Sequence, residues 1–190
     1  MKPEVRILGI DDGPFSWGDA TTAVVGVLMR GGSYVEAVLR SQVKVDGDDA
    51  TMVVANLVAR SRYKDAVQVV MLDGVTLGGF NVVDLDALRD TLQVPVLTVT
   101  RDPPDRAAIE AALRKHFDDA ERRLALLQRH PLERVDTAHN PVWVKRVGLG
   151  AEEARDLVRR TTVRGALPEP LRLAHLIAAA YTTGESRGRA

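Results

Sequence analysis

Short unbroken apolar runs alternate along this chain with longer stretches in which apolar residues recur every three or four positions. The runs EVRILGID (4–11), TTAVVGVLMR (21–30), AVQVVML (66–72) and VPVLTVT (94–100) are short and mostly rich in β-branched residues, so they predict strands. GGS at 31–33 is a tight turn, which makes YVEAVLRSQVKV (34–45) the returning arm of a hairpin. Helical spacing follows at 50–62 (Met52, Val53, Ala55, Leu57, Val58) and at 84–92 (Leu85, Leu88). A densely charged helical region at 105–129, bent or broken near its middle, carries Ile109, Ala112, Leu113 and Phe117 as its buried stripe. PVWVKRV (141–147) predicts one more short strand. The chain then gives a helix at 150–161, with acids in its first turn and Arg in its last, and a proline-started helix at 168–181.

Three strands in a meander, followed by strands that alternate with helices, is the element order of a ribonuclease H-like α/β fold. It predicts a mixed sheet, an antiparallel three-strand meander plus parallel strands, with helices on both faces. In that order strands one and four lie side by side and parallel at the centre. No linker or repeat divides the chain, so one domain is expected over 1–181, with a flexible tail at 182–190.

The composition narrows the chemistry. The 190 residues suffice for one domain with a real core. There is no cysteine, which excludes disulfides, thiolate catalysis and Cys-ligated zinc. No signal-peptide pattern and no apolar run of membrane-spanning length is present, so a cytoplasmic protein away from membranes is the expectation. The net charge of zero hides an asymmetry: residues 1–100 stand at −4 and residues 101–190 at +4, and 21 of the 26 basic residues are Arg. Solvated helix faces account for such a balance, and so does an Arg-rich phosphate-binding surface beside an acidic pocket.

The acids sit at informative places. Asp11 closes strand one, and Asp73 closes the most apolar strand in the chain, directly before Gly74. Open α/β sheets bind ligands beyond the carboxyl ends of their parallel strands. If strands one and four are neighbours, both carboxylates face one small volume, and a third acid (Asp46, Asp48 or Asp49) can join from the start of the helix after strand three. Crowded carboxylates repel unless a cation lies among them. Mg²⁺, with Mn²⁺ as the alternative, takes hard oxygen ligands and leaves room for water and phosphate. Each Asp-Gly alone also reads as an ordinary turn, and DGDDAT as a turn with a helix N-cap. Gly74, Gly78 and Gly79 allow backbone to come close to a ligand; the Lys and spacing of a Walker loop are absent. His116 and His130 read as surface residues, and His139 sits in a loop without a nameable partner. His175 lies on an otherwise apolar helix, as a core histidine or as a ligand reaching the acidic pocket.

LPEPLRLAH (167–175), preceded by TTVRGA, resembles the C-terminal signature of endonuclease V, which nicks nucleic acid beside deaminated bases. LGIDDGPF (8–15) resembles that family's metal-binding first strand, and MLDGVTLGGFN (71–81) its Asp-Gly strand end. The similarity is closer to a mainly archaeal domain-of-unknown-function family related to endonuclease V, of endonuclease dU type, whose members share GIDDGPF, VDGxDAT and LDGVTxGGFN; it spans about residues 1–181.

The resemblance implies that Asp11 and Asp73 bind metal. Asp49 completes the acid set as a ligand or by orienting water, with Asp46 as its competitor, and His175 touches metal or the scissile phosphate. The basic residue after strand five, a Lys in endonuclease V, falls to Arg101, with Arg172 also facing the nucleic-acid backbone. The Pro-Tyr-Ile-Pro wedge of endonuclease V is replaced here by VKVDGDDAT, which bears on base specificity more than on metal chemistry. Gly13, Phe15, Trp17, Gly74 and Asn81 are expected to bound the substrate, the aromatics stacking on a displaced base.

The function so implied is Mg²⁺-dependent cleavage of DNA at or near a deaminated base, in DNA repair, with deoxyuridine the first candidate and deoxyinosine the second. No obligate protein partner is expected, only a monomer or weak dimer. The rivals are a catalytically silent nucleic-acid-binding module of the same fold and a nucleotide phosphoesterase.

Overall fold

The computed structural model describes residues 4–186. Seven strands form one sheet: β1 (Arg6–Asp12), β2 (Thr21–Arg30), β3 (Tyr34–Lys44), β4 (Val69–Asp73), β5 (Val96–Thr100), β6 (Glu133–Val135) and β7 (Val142–Val147). Their order across the sheet is β3-β2-β1-β4-β5-β7-β6. β1, β2 and β3 form an antiparallel meander, β4 and β5 extend it in parallel with β1, and β7 and β6 close the far side antiparallel. This is the mixed sheet that the element order predicts.

The helices are α1 (Ala50–Ala59), α2 (Leu85–Leu92), α3 (Arg106–His116), α4 (Ala120–Gln128), α5 (Ala151–Thr161) and α6 (Glu169–Thr183). They cover both faces because the central strands are apolar on both. Even-numbered residues of β1 and β4 (Leu8, Ile10, Val70, Leu72) pack with Val54 and Val58 of α1 and Leu85 and Leu88 of α2. Odd-numbered ones (Ile7, Val69, Met71) pack with Leu157 and Val158 of α5 and Leu171 of α6. Further along α6, Ala174 and Ala178 meet Val25, Val27 and Met29 of β2. The charged stretch expected to bend or break near its middle breaks there, into α3 and α4, which share a small core of Leu113, Ala120 and Leu124.

The close seating of α6 is what brings its side chains to the sheet. A Cβ at Gly9 would lie 2.4 Å from the backbone carbon of Pro170, so only glycine lets the helix cross β1 at this depth. α6 runs two residues past its expected end and stops at Gly184 in the left-handed conformation. Of the expected flexible tail, residues 187–190 lie outside the described residues. Among the described residues no helix is long and apolar enough to cross a membrane.

Candidate metal centre and adjoining cavity

β1 and β4 pair in parallel with Gly9 opposite Met71 and Ile10 opposite Leu72. One step further along that register stand Asp11 and Asp73. Side chains alternate along a strand, so both acids point to the α6 face, where His175 meets them. His175 Nδ1 lies 2.9 Å from Asp11 Oδ2. One ligand atom from each of Asp11, Asp73 and His175 falls within 4.8 Å of the others. Asp11 is buried and the other two half-buried.

The electrostatics mark a site with too much negative charge. Burial, and then the adjacent Asp11, push the Asp73 carboxyl up to about 7. Asp12, on the opposite side of β1, is likewise pushed up to about 7 by burial and by Asp11. His175 is raised, chiefly through its hydrogen bond to Asp11. Arg101 is near enough for its charge to lower both Asp73 and His175. Two carboxylates and an imidazole at this spacing are a donor set for a divalent cation, whose charge would relieve the repulsion among them.

The other acids of the signature motifs do something else. The segment 74–83 is a miniature hairpin: Leu77 N–H donates to Asn81 O, Val83 N–H to Val75 O, and Thr76 bridges Val82. Its tip, Gly78–Gly79, has φ of +62° and +82°, which side-chain-bearing residues rarely adopt. Three motifs clasp this tip. Asp12 Oδ2 accepts from Gly78 N–H at 3.0 Å, and Asp46 Oδ1 accepts from Phe80 N–H at 2.8 Å. Asn81, with no exposed surface, donates to Asp49 Oδ1 (2.7 Å) and Lys44 O (3.0 Å) and accepts from Ala50 N–H (2.9 Å). Arg123 of α4 donates to Gly47 O and Phe80 O while paired with Asp119.

Two expectations are corrected by this network. Asn81 does not bound a substrate surface, since it is fully buried with its amide spent on the clasp. Asp49 is not brought into the Asp11–Asp73–His175 group. It stands at the N-cap of α1 without a capping bond, and its Oδ1 is taken by Asn81 and, more weakly, Lys44 N–H at 3.3 Å.

The remaining candidates separate. Gly13 is a packing position: a Cβ there would fall 2.3 Å from Thr182 Oγ1. Phe15 leans over Gly79 and is partly exposed, while Trp17 is 98% exposed on a loop braced by Ser16 N–H donating to Asp19. Arg172 is doubly hydrogen-bonded to Glu169 within α6, which fixes its guanidinium away from a free role. Gly74 lines a cavity.

That cavity, about 360 Å³, opens one residue beyond Asp73. It runs between the 74–80 hairpin, the end of β5 and the inner sides of α3 and α4. Phe80, Ile109, Leu124, Leu127 and Leu132 form its apolar walls, and Lys145 of β7 reaches it from the sheet. The sequence offers Gly74 and Gly79 as a hint of close ligand approach, but nothing that marks Lys145.

Comparison with known proteins finds relatives of this chain and of its fold. A family model described as Endonuclease dU matches residues 3–182. A UPF0215 protein of Thermococcus gammatolerans is 48% identical over 190 residues, covering 98% of this chain and 96% of that protein. The crystal structure of a protein of unknown function from Archaeoglobus fulgidus superposes with a TM-score of 0.83 at 34% identity, covering 93% of this chain and 97% of the other. Endonuclease V of Ciona intestinalis, solved with a 24mer DNA containing an inosine followed by a ribo-adenosine, shares the fold at 13% identity. Its TM-score is 0.59, with 90% and 82% of the two chains covered.

Proposed function

The chain belongs to the endonuclease dU family, and on that premise we propose that it is a divalent-metal-dependent endonuclease cutting DNA at or near a deaminated base, deoxyuridine first and deoxyinosine second. The family and the fold make it a nuclease. The observation that carries the finer reading is the convergence of Asp11, Asp73 and His175, their ligand atoms within 4.8 Å, at the carboxyl ends of two parallel strands beside a cavity with room for a nucleobase.

Asp11 and Asp73 would hold Mg²⁺ or Mn²⁺ with His175 as the third ligand. The ion would polarise a phosphate oxygen and make a bound water nucleophilic. The protein's own residues do the rest. His175, tied through Nδ1 to Asp11, keeps its ring in one orientation. Arg101 brings positive charge against the phosphate. The cavity beyond Gly74 takes the base displaced from the stack, and Trp17, exposed on the same edge, offers a stacking surface to the nucleic acid. Asp49 acts through the clasp, by fixing the hairpin that walls this cavity.

The test is an incubation of end-labelled single- and double-stranded oligonucleotides carrying uracil, hypoxanthine, xanthine or no lesion, with Mg²⁺, with Mn²⁺ or with chelator. Nicking that requires metal and lesion, and that Asp73→Asn abolishes, is expected. No metal-dependent product on any substrate would overturn the reading.

A further inference from the structure

Lys145 is the least expected residue in the cavity. It lies on β7, beside Thr98 of β5, and is more than nine-tenths buried. Its ammonium donates to the backbone carbonyls of Leu127 and His130, at the end of α4 and just beyond. Among the described residues no carboxylate pairs with it and no protein acceptor takes its third N–H. Burial and the nearby Arg106 both depress its pKa. A buried ammonium without an anion is costly. A methionine here would fill the same space more cheaply, so the cation calls for a ligand that uses it.

We propose that Lys145 is a specificity-determining residue, donating a hydrogen bond to the carbonyl oxygen that deamination creates on the base held in this cavity. The inference rests on the deaminated-base reading above and deepens it. Deamination exchanges an exocyclic amine, a donor, for a carbonyl, an acceptor. Cytosine becomes uracil at C4, and adenine becomes hypoxanthine at C6. An ammonium has three donors and no acceptor. Facing uracil it gains a charge-assisted bond; facing cytosine it meets the N–H of the amine, and two donors are left opposed in an apolar pocket. A site built this way rejects the undamaged base far more strongly than shape alone allows.

Thymine carries the same carbonyl. Refusing its methyl group therefore falls to the apolar walls, not to Lys145. Discrimination is thus split: Lys145 governs uracil against cytosine, and the walls govern uracil against thymine.

The experiment measures binding, by fluorescence anisotropy with Ca²⁺ in place of Mg²⁺, and Mg²⁺-dependent nicking. Both use oligonucleotides that differ only at one position, which holds uracil, cytosine, thymine or 2-pyrimidinone, the last lacking the C4 carbonyl. Wild type and Lys145→Met are compared. In Lys145→Met the uracil-to-cytosine preference is expected to fall at least tenfold and the uracil-to-thymine preference to stay unchanged. Wild type should prefer uracil over 2-pyrimidinone at least tenfold, a readout that does not depend on the variant folding. If wild type prefers uracil over cytosine and Lys145→Met keeps that ratio, or if wild type handles 2-pyrimidinone as well as uracil, the assignment of Lys145 is overturned while the deaminated-base reading stands. If wild type shows no uracil preference at all, the reading beneath it fails.

Discussion

Two pairs of aspartates stand at the same edge of the sheet and meet opposite fates. Asp11 and Asp73 end neighbouring parallel strands, and their nearest side-chain partner is an imidazole. Asp46 and Asp49 follow β3 and are surrounded by donors: the Phe80 amide for one, the Asn81 side chain and Lys44 amide for the other. In chemical type the four are identical. The difference lies in what each carboxylate is offered. A carboxylate supplied with N–H donors is satisfied and becomes a fastening. One set beside another acid in a buried place lacks charge balance, which a cation would supply.

The sharpest way to break this contrast is to remove one acid from each pair. Asp73→Asn keeps the size and loses the charge. It should cut nicking on the order of 10³-fold, the scale of losing a major electrostatic contribution to the transition state. Its thermal midpoint should hold or rise, because a buried carboxyl already pushed to about 7 is being replaced by a neutral amide. Asp49→Ala should show the reverse ranking, with a lower midpoint and a smaller loss of turnover. Asp49→Ala matching Asp73→Asn in lost activity, with its fold intact, would return Asp49 to the ligand set.

Asn81 tests the fastening side directly. Asn81→Ala removes three hydrogen bonds of a fully buried side chain: it leaves the buried Ala50 amide without its partner, while the part-buried Lys44 carbonyl and Asp49 keep weaker bonds to the Gly47 and Lys44 amides. The orphaned buried amide alone costs about 1–3 kcal/mol, so urea denaturation should show a loss of about 2 kcal/mol or more. Whatever activity survives below the melting range should keep its metal requirement. A variant that melts normally but no longer responds to metal would place Asn81 at the site after all.

How much of this was legible follows the same division. Asp11 and Asp73 stood out because their signal is local: two largely apolar strands that end on an acid, one as Asp-Asp-Gly and one as Asp-Gly, in an element order that makes the two strands neighbours. The fastenings were not, because Asp49 and Asn81 are 32 residues apart and nothing in either motif names the other as its partner. Lys145 was hidden more thoroughly. A lysine within PVWVKRV reads as a solvent-facing position of an alternating strand, and what buries it is contributed by α4 and the segment after it. The three-residue β6 carries too short a pattern to register; it exists because β7 offers an edge to pair with. The bend or break expected near the middle of 105–129 is a break, a helix end at Phe117, whose ring packs edge-on against Phe80 of the hairpin.

A smaller effect belongs to the loop between β1 and β2. Trp17 has almost no contact to lose, so Trp17→Ala should leave the melting temperature unchanged. Stacking of a base on an aromatic side chain is worth about 1–3 kcal/mol, so binding to lesion-bearing DNA should weaken by roughly tenfold. Unchanged binding would leave the residue as an exposed ornament of the loop, with the roles of Asp11 and Asp73 unaffected.

The subtlest difference between the two pairs is their response to pH and metal together. Asp73 titrates near 7, raised by burial and by Asp11. Its folded pKa stands above the unfolded value of 3.8, so the native state holds the extra proton between those limits. In chelator, this group's contribution to stability is full below 3.8 and fades as pH rises through about 7. A divalent ion reverses that trend, because it binds the deprotonated carboxylate and competes with the proton. The gain in thermal midpoint on adding Mn²⁺ should therefore be small at pH 6 and grow to several degrees at pH 8. A saturating ligand at about 100 times its Kd contributes about 2.7 kcal/mol, which for a chain of this size is a shift of about 5–10 °C. Asp73→Asn should abolish the pH-dependent part of that gain, whereas Asp49→Ala should shift both curves down in parallel and keep the difference between them. A metal-induced gain that is flat from pH 6 to 8 in the wild type would mean that the ion does not displace a proton from Asp73, and the distinction between satisfied and unsatisfied carboxylates would lose its support.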